Sequence, residues 1–256
     1  MLKTTVNGIE LAFERHGRVD RTPLVLIHGY PLDHIIWNPV VPLLENDFDL
    51  ILPDLRGFGQ SGTVQARYSL TDMAADIAGL MDFLNINKAV IAGHSMGGYV
   101  ALAFARAYPQ RVHGLGLVAS QAIADPSERK AARYQMAERV EADGVGEVGE
   151  SMPGLLTADT DLQAALKRLI LRQPPESVAA ALRAMADRPD STDILPNFEF
   201  PVVTIHGLED KLIPVERARD VRTAVKEGSL VEIESAGHMP MMEAPQITAE
   251  ALKTLL

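Results

Sequence analysis

Short, almost unbroken apolar runs constrain this chain more than any other feature: LVLIH (24–28), DLILPD (49–54), AVIAGHS (89–95), GLGLVAS (114–120), PVVTIHG (201–207) and LVEIES (230–235). A strand with one wet face alternates apolar and polar residues. Runs of this length without alternation suit strands buried on both faces of a parallel sheet. Helical patterns separate them. SLTDMAADIAGLMDFL (69–84) has a cap candidate at Ser69 or Thr71 and puts Met73, Ile77, Leu80, Met81 and Leu84 on one stripe. MGGYVALAFARAY (96–108) stops before Pro109, and PVERARDVRTAV (214–225) begins with a proline. Such alternation implies right-handed crossovers and an α/β fold with a doubly wound, mostly parallel sheet. Ahead of it, KTTV and IELAFE flank Asn7-Gly8, a pair that tolerates positive φ, so the chain should open with an antiparallel hairpin.

One stretch breaks the rhythm. Residues 122–200 show helical patterns and no strand: LQAALKRLILR carries Leu162, Ala165, Leu166, Leu169 and Ile170, and SVAAALRAM carries Val178, Ala181, Leu182 and Met185. DGVGEVGESMPG (143–154) is glycine-rich and should be loosely held. A helical insertion between two sheet strands reads as a cap over the sheet's C-terminal edge, where open α/β sheets bind ligands. The plainer alternative is helices packed on the sheet's side. The expected division is a core of residues 1–121 and 201–256 and a helical cap of 122–200.

Composition narrows the function classes. There is no cysteine, which excludes disulfides, a thiol nucleophile and thiolate metal sites. A net charge of −10 argues against nucleic acid, whose phosphates need a dense basic face. The apolar runs are strand-sized and MLKTTVNGIELAFERHG lacks an apolar signal core, so a cytoplasmic protein with no membrane partner is expected.

The strongest local signal is Gly93-His94-Ser95-Met96-Gly97, at the handover from strand AVIAGH to helix MGGYVALAFARAY. The bare Gly-x-Ser-x-Gly pattern arises by chance in roughly one chain in ten of this length. Its context makes it informative. Glycines on both sides let backbones pass closely in a very sharp turn, and the turn leaves Ser95 Oγ exposed at a helix N-terminus. A serine hydroxyl needs a base to take its proton. Of seven histidines, His94 should pack beneath the elbow. His28 and His206 end apolar strands and should be held by local hydrogen bonds, and His16, His34 and His113 sit in turn or helix-flank settings. His238 follows the last strand in ESAGHMP, on a loop at the sheet's C-terminal edge, and is the candidate base. The acid that fixes its tautomer should be Asp210 in HGLEDKLIP, with Glu209 the local rival. The oxyanion hole needs two fixed N–H donors: Met96, after the nucleophile, and Tyr30, in the HGYP loop after the first core strand. Gly29 in that loop has a packing reading as well.

HGYPLDHIIW, DLRGFGQSG, GHSMGGYVAL, GLEDKLIP and GHMPMMEAP resemble, in order and spacing, the α/β-hydrolase superfamily across the whole chain except the cap. The likeness is greatest to its serine-nucleophile branches of carboxylesterases, enol-lactonases and cofactor-free haloperoxidases (perhydrolases). The resemblance implies Ser95 as nucleophile, His238 as base, Asp210 as acid, and the Tyr30 and Met96 N–H groups as oxyanion hole. It makes Arg56 to Ser61 a structural turn and sets Trp37 near the acyl pocket. It implies a serine esterase working through an acyl-enzyme on a small acyl substrate, with no cofactor and no metal. The same relay serves C–C bond hydrolases, enol-lactonases, perhydrolases, thioesterases and acyltransferases. From another class, a slow-turnover ligand receptor can use the same fold. Pocket candidates are Trp37, Met136, Met152, Leu155, Met185 and Met239, each equally readable as core.

Overall fold

The apolar runs form strands of one eight-stranded sheet in the computed structural model, which describes residues 1–63 and 67–256. In chain order the strands are β1 (Leu2–Val6), β2 (Ile9–Gly17), β3 (Thr22–Ile27), β4 (Phe48–Pro53), β5 (Ala89–His94), β6 (Val112–Val118), β7 (Val202–Gly207) and β8 (Gly228–Ile233). Their order across the sheet is β1-β2-β4-β3-β5-β6-β7-β8. The hairpin β1–β2 turns at Asn7 and Gly8, both with positive φ, and β2 pairs antiparallel with β4. All other pairings are parallel. Strands β4 and β5 are buried along their whole length, whereas the edge strands β1 and β8 are half exposed. Unbroken apolar runs and burial on both faces are thus the same property seen twice.

Helices flank the sheet. They are α1 (Val41–Leu44), α2 (Leu70–Phe83) and α3 (Met96–Ala107), then α4 (Ser127–Asp143), α5 (Gly146–Ser151), α6 (Pro153–Leu156), α7 (Thr160–Leu171) and α8 (Pro175–Ala186). After β7 come α9 (Glu216–Ala224), α10 (Pro240–Glu243) and α11 (Pro245–Lys253). Of the two cap candidates for α2, Ser69 takes the position: its hydroxyl accepts from Asp72 N–H while the Asp72 carboxylate accepts from Ser69 N–H. Arg56 forks onto Asp76 at 2.5 and 2.6 Å, locking the 54–61 turn to α2. No helix among the described residues is long and apolar enough to cross a membrane.

The segment between β6 and β7 contains, among the described residues, five α-helices, a short 3-10 helix (Leu195–Asn197) and no strand. One detail departs from the sequence reading. The glycine-rich stretch 143–154, expected to be loosely held, is mostly helical, forming α5 and α6. Val148 is buried and Gly149 lies against Leu171 of α7, so tertiary packing supplies what propensity does not.

The strand order positions the site. From β3 the chain crosses to β4 on one side and afterwards to β5 on the other. Loops leaving the C-terminal ends of β3 and β5 therefore diverge, and a crevice opens at that switch point. Tyr30 and Ser95 stand on those two loops.

Candidate active site

Ser95 is the hinge between β5 and α3, with φ +50° and ψ −112°. A non-glycine residue held there costs on the order of 1–3 kcal/mol, and surrounding structure must enforce it. Ser95 N–H donates to Val118 O at 2.9 Å, and Ser95 O accepts from Gly98 N–H and Ser120 Oγ at 2.9 and 2.8 Å. The flanking glycines are required by closeness. A Cβ on Gly93 would lie 2.1 Å from Gly97 O, and one on Gly97 would lie 2.3 Å from Ile27 O.

His238 and Asp210 come from loops that are stitched together. Leu208 N–H donates to Ile233 O and Glu209 N–H to Ala236 O, both at 3.0 Å, joining the turn after β7 to the loop after β8. His238 Nδ1 lies 2.7 Å from Asp210 Oδ2, and both side chains are about 1% exposed. The other carboxylate oxygen accepts from Leu212 and Ile213 N–H at 2.8 and 3.0 Å. Burial pushes the Asp210 carboxyl upward. The His238 charge, the His206 and His238 hydrogen bonds and the Ile213 N–H outweigh it and hold the group well below the usual carboxylate range. An ionised Asp210 fixes the Nδ1–H tautomer of His238 and leaves Nε2 free to accept a proton. Glu209, the rival, is solvent-exposed.

The other histidines are placed structurally. His94 is fully buried, its ring edge-on to His238 at 4.9 Å between centroids, and its Nε2 donates to His238 O at 2.8 Å. Burial, helped by the neighbouring His238, drives its pKa well below the ordinary value, so it serves as a neutral prop. His28 accepts Leu55 N–H on Nε2 and gives Nδ1–H to Gly29 O. His206 Nε2 lies 2.8 Å from Ile213 O and 3.2 Å from Asp210 Oδ2.

Ser95 and His238 line one cavity of about 240 Å³. No direct hydrogen bond joins the Ser95 hydroxyl to the imidazole among the described residues; the two groups share the cavity wall. The two N–H groups expected as oxyanion donors, Tyr30 and Met96, meet no acceptor among the described residues. Of the pocket candidates, Met136, Met152 and Met185 line this cavity. The other three are placed elsewhere. Trp37 is fully buried in the core beside Ile36, Leu155 points outward at 42% exposure, and Met239, next to His238 in its loop, is fully buried. Helical period says which residues share a face, and the docking of each element decides which face meets the cavity.

Several contributors were missed in the sequence. Arg129, Ala132, Arg133 and Met136 line the cavity from one face of α4. Their i, i+3, i+4, i+7 spacing was legible, but a search for apolar stripes passes over arginine. Glu243 clamps the His238 loop, accepting Gly237 and Met239 N–H at 2.9 and 3.0 Å and Thr157 Oγ1 at 2.6 Å. A larger cavity of about 520 Å³, beyond Tyr99 between α3 and α8, touches none of Ser95, Asp210 and His238. Asp33, His34 and Asp54 cluster closely enough to suit a metal. Their donors and acceptors are already paired: Asp54 with His34 and Gln60 N–H, and Asp33 with Ile35 N–H, Arg172 and Gln173. The cluster reads as a strut from the loop after β3 to the α7–α8 segment.

The family model described as "Alpha/beta hydrolase family" matches residues 24–251. The chain is 33% identical over 240 residues to a pimeloyl-[acyl-carrier protein] methyl ester esterase of Edwardsiella ictaluri, covering 90% of this chain and 91% of that one. It is 32% identical over 260 residues to the dihydrolipoyllysine-residue acetyltransferase component of the acetoin cleaving system of Pseudomonas putida, spanning 95% of this chain and 66% of that protein's length. Among solved structures, a thermophilic esterase from Thermogutta terrifontis, with malate bound, superposes with a TM-score of 0.93 at 39% identity, covering 98% of this chain and 95% of that one.

Proposed function

This chain belongs to the alpha/beta hydrolase family, and from that membership we propose that it is a serine hydrolase cleaving a small carboxylic ester or related acyl compound. The observation that carries the reading is the placement of His238, tied through Nδ1 to Asp210, on the wall of the cavity that Ser95 enters. Ser95 Oγ attacks the acyl carbon while His238 Nε2 takes the hydroxyl proton. Asp210 balances the imidazolium that forms. The tetrahedral oxyanion accepts from Tyr30 and Met96 N–H, two donors that meet no other acceptor among the described residues. Nε2 then returns its proton to the departing alcohol. Water attacks the acyl-Ser95 ester by the same relay, releasing the acid and restoring the hydroxyl. Hydrogen bonds between nucleophile and base commonly tighten only in the substrate complex, which fits the open Ser95–His238 arrangement. Residues 122–200 act as the cap, since α4 and α8 contribute Arg133, Met136 and Met185 to the cavity wall.

The test is labelling and turnover together. A fluorophosphonate should label wild-type protein and not Ser95→Ala, and p-nitrophenyl acetate hydrolysis should fall by up to about 10⁶ in kcat. Labelling elsewhere, or a Ser95→Ala variant with most of its activity, would overturn the assignment.

A further inference from the structure

The chain carries a net charge of −10, yet the described wall of the Ser95 cavity holds two arginines, Arg129 and Arg133, and no aspartate or glutamate. Arg133 gives Nε to Asp125 at 2.5 Å and Nη1 to the Met185 sulfur at 3.4 Å, while its Nη2 meets no acceptor among the described residues. Asp125 is shared. Arg188 binds its other oxygen at 2.9 Å, so two guanidiniums lean on one fully buried carboxylate. Arg129 donates to a backbone oxygen, that of Leu212, at 2.8 Å. The same wall carries Tyr30, only 6% exposed, whose hydroxyl has no partner among the described residues. Buried hydroxyls are almost always paired, and leaving one unpaired is costly. A neutral ester leaves the phenol and the free guanidinium edge competing for weak acceptors. A carboxylate accepts from both.

Building on the hydrolase reading, we propose that the cavity takes an acyl substrate with a second, anionic end: the half-ester of a short dicarboxylic acid. Its free carboxylate accepts from Arg133 Nη2 and Tyr30 Oη, and its ester carbonyl faces Ser95. Hydrolysis consumes one water: the alcohol leaves with the proton taken from Ser95, the water oxygen enters the released dicarboxylate, one water proton restores the Ser95 hydroxyl and the other is released with the new carboxyl group. The cavity of about 240 Å³ matches about eight water volumes of ~30 Å³, which suits an acid of glutarate size.

The experiment separates binding from turnover. Glutarate and its uncharged diamide, glutaramide, are titrated calorimetrically into wild type, Ser95→Ala, Arg133→Met and Tyr30→Phe. Glutarate should bind wild type and Ser95→Ala at least tenfold more tightly than glutaramide does. Arg133→Met and Tyr30→Phe should each weaken glutarate by about 10-fold or more. Monoethyl glutarate should exceed diethyl glutarate at least tenfold in kcat/KM, with the margin shrinking as salt rises. Arg133→Met leaves Asp125 a single partner; should it misfold, Tyr30→Phe, which removes one oxygen, decides. Glutarate binding no tighter than glutaramide, or binding untouched by these substitutions, overturns the anion site. Turnover of the diester without preference for the half-ester sinks the anion site alone. Tight glutarate binding with neither ester cleaved upholds the anion site and sinks the hydrolase reading.

Discussion

Replacing Asp210 by asparagine exchanges one oxygen for an NH2 group, and the donors around the carboxylate fix the consequence. Oδ1 accepts from Leu212 and Ile213 N–H at 2.8 and 3.0 Å, while Oδ2 faces His238 Nδ1 at 2.7 Å and His206 Nε2 at 3.2 Å. A carboxylate can accept from all four; an amide cannot. If the amide oxygen stays on the backbone pair, its NH2 meets two ring nitrogens that already donate. The conflict is relieved when His238 moves its proton to Nε2 and lets Nδ1 accept. The nitrogen on the cavity side then has no lone pair for the serine proton. A tautomer error of this kind costs about 10⁴ in kcat, equivalent to about 5.4 kcal/mol at 1.36 kcal/mol per decade. Ground-state binding should change far less, because Asp210 does not line the cavity. Steady-state hydrolysis of p-nitrophenyl acetate, corrected by burst titration for competent sites, measures the loss, and ¹⁵N NMR of the ring reports the tautomer. Activity within tenfold of wild type, or an Asn variant that keeps Nδ1–H on His238, would refute the reasoning.

Burial and charge set the other expectations. The folded Asp210 carboxyl titrates below its unfolded value of about 3.9, so its stabilising effect is complete above that pH and is lost as pH falls further. The stability gap between wild type and Asp210→Asn, from urea midpoints, should be constant above about pH 5 and shrink towards pH 3; a pH-independent gap counts against it. Trp37→Ala should destabilise by about 3–5 kcal/mol through its core cavity, read from urea unfolding; a loss under ~1 kcal/mol would return Trp37 to the accessible pocket. Met136→Trp should shift ester preference towards shorter acyl chains while Leu155→Trp should not, since Met136 lines the cavity and Leu155 faces solvent. Equal shifts in kcat/KM across a chain-length series would contradict that placement.

Much of the fold was legible because its determinants are local. The unbroken apolar runs mark doubly buried strands, Asn7-Gly8 marks a hairpin, and the Ser69–Asp72 cap is complete within four residues. The Gly93–Gly97 elbow is equally self-contained, since its steric demands fall on backbone only a few residues away or on the adjacent strand. Asp210 and Glu209 were harder to separate, being adjacent and both acidic. The turn after β7 decides between them by pointing one at His238 and the other at solvent.

Sequence alone therefore determined the strand-and-helix order, the strained turn at Ser95 and the loops that bear Asp210 and His238. All of these are set by contacts along the chain or by the burial each segment demands. Tertiary structure decided which side chains meet around the cavity. Met136 faces it and Met239 does not, though the two residues are chemically identical, because α4 docks over the crevice while the His238 loop turns its neighbour inward. The Arg129–Arg133 face and the Glu243 clamp were invisible for the same reason: a polar side chain's role depends on the partner it meets, and those partners lie in other elements.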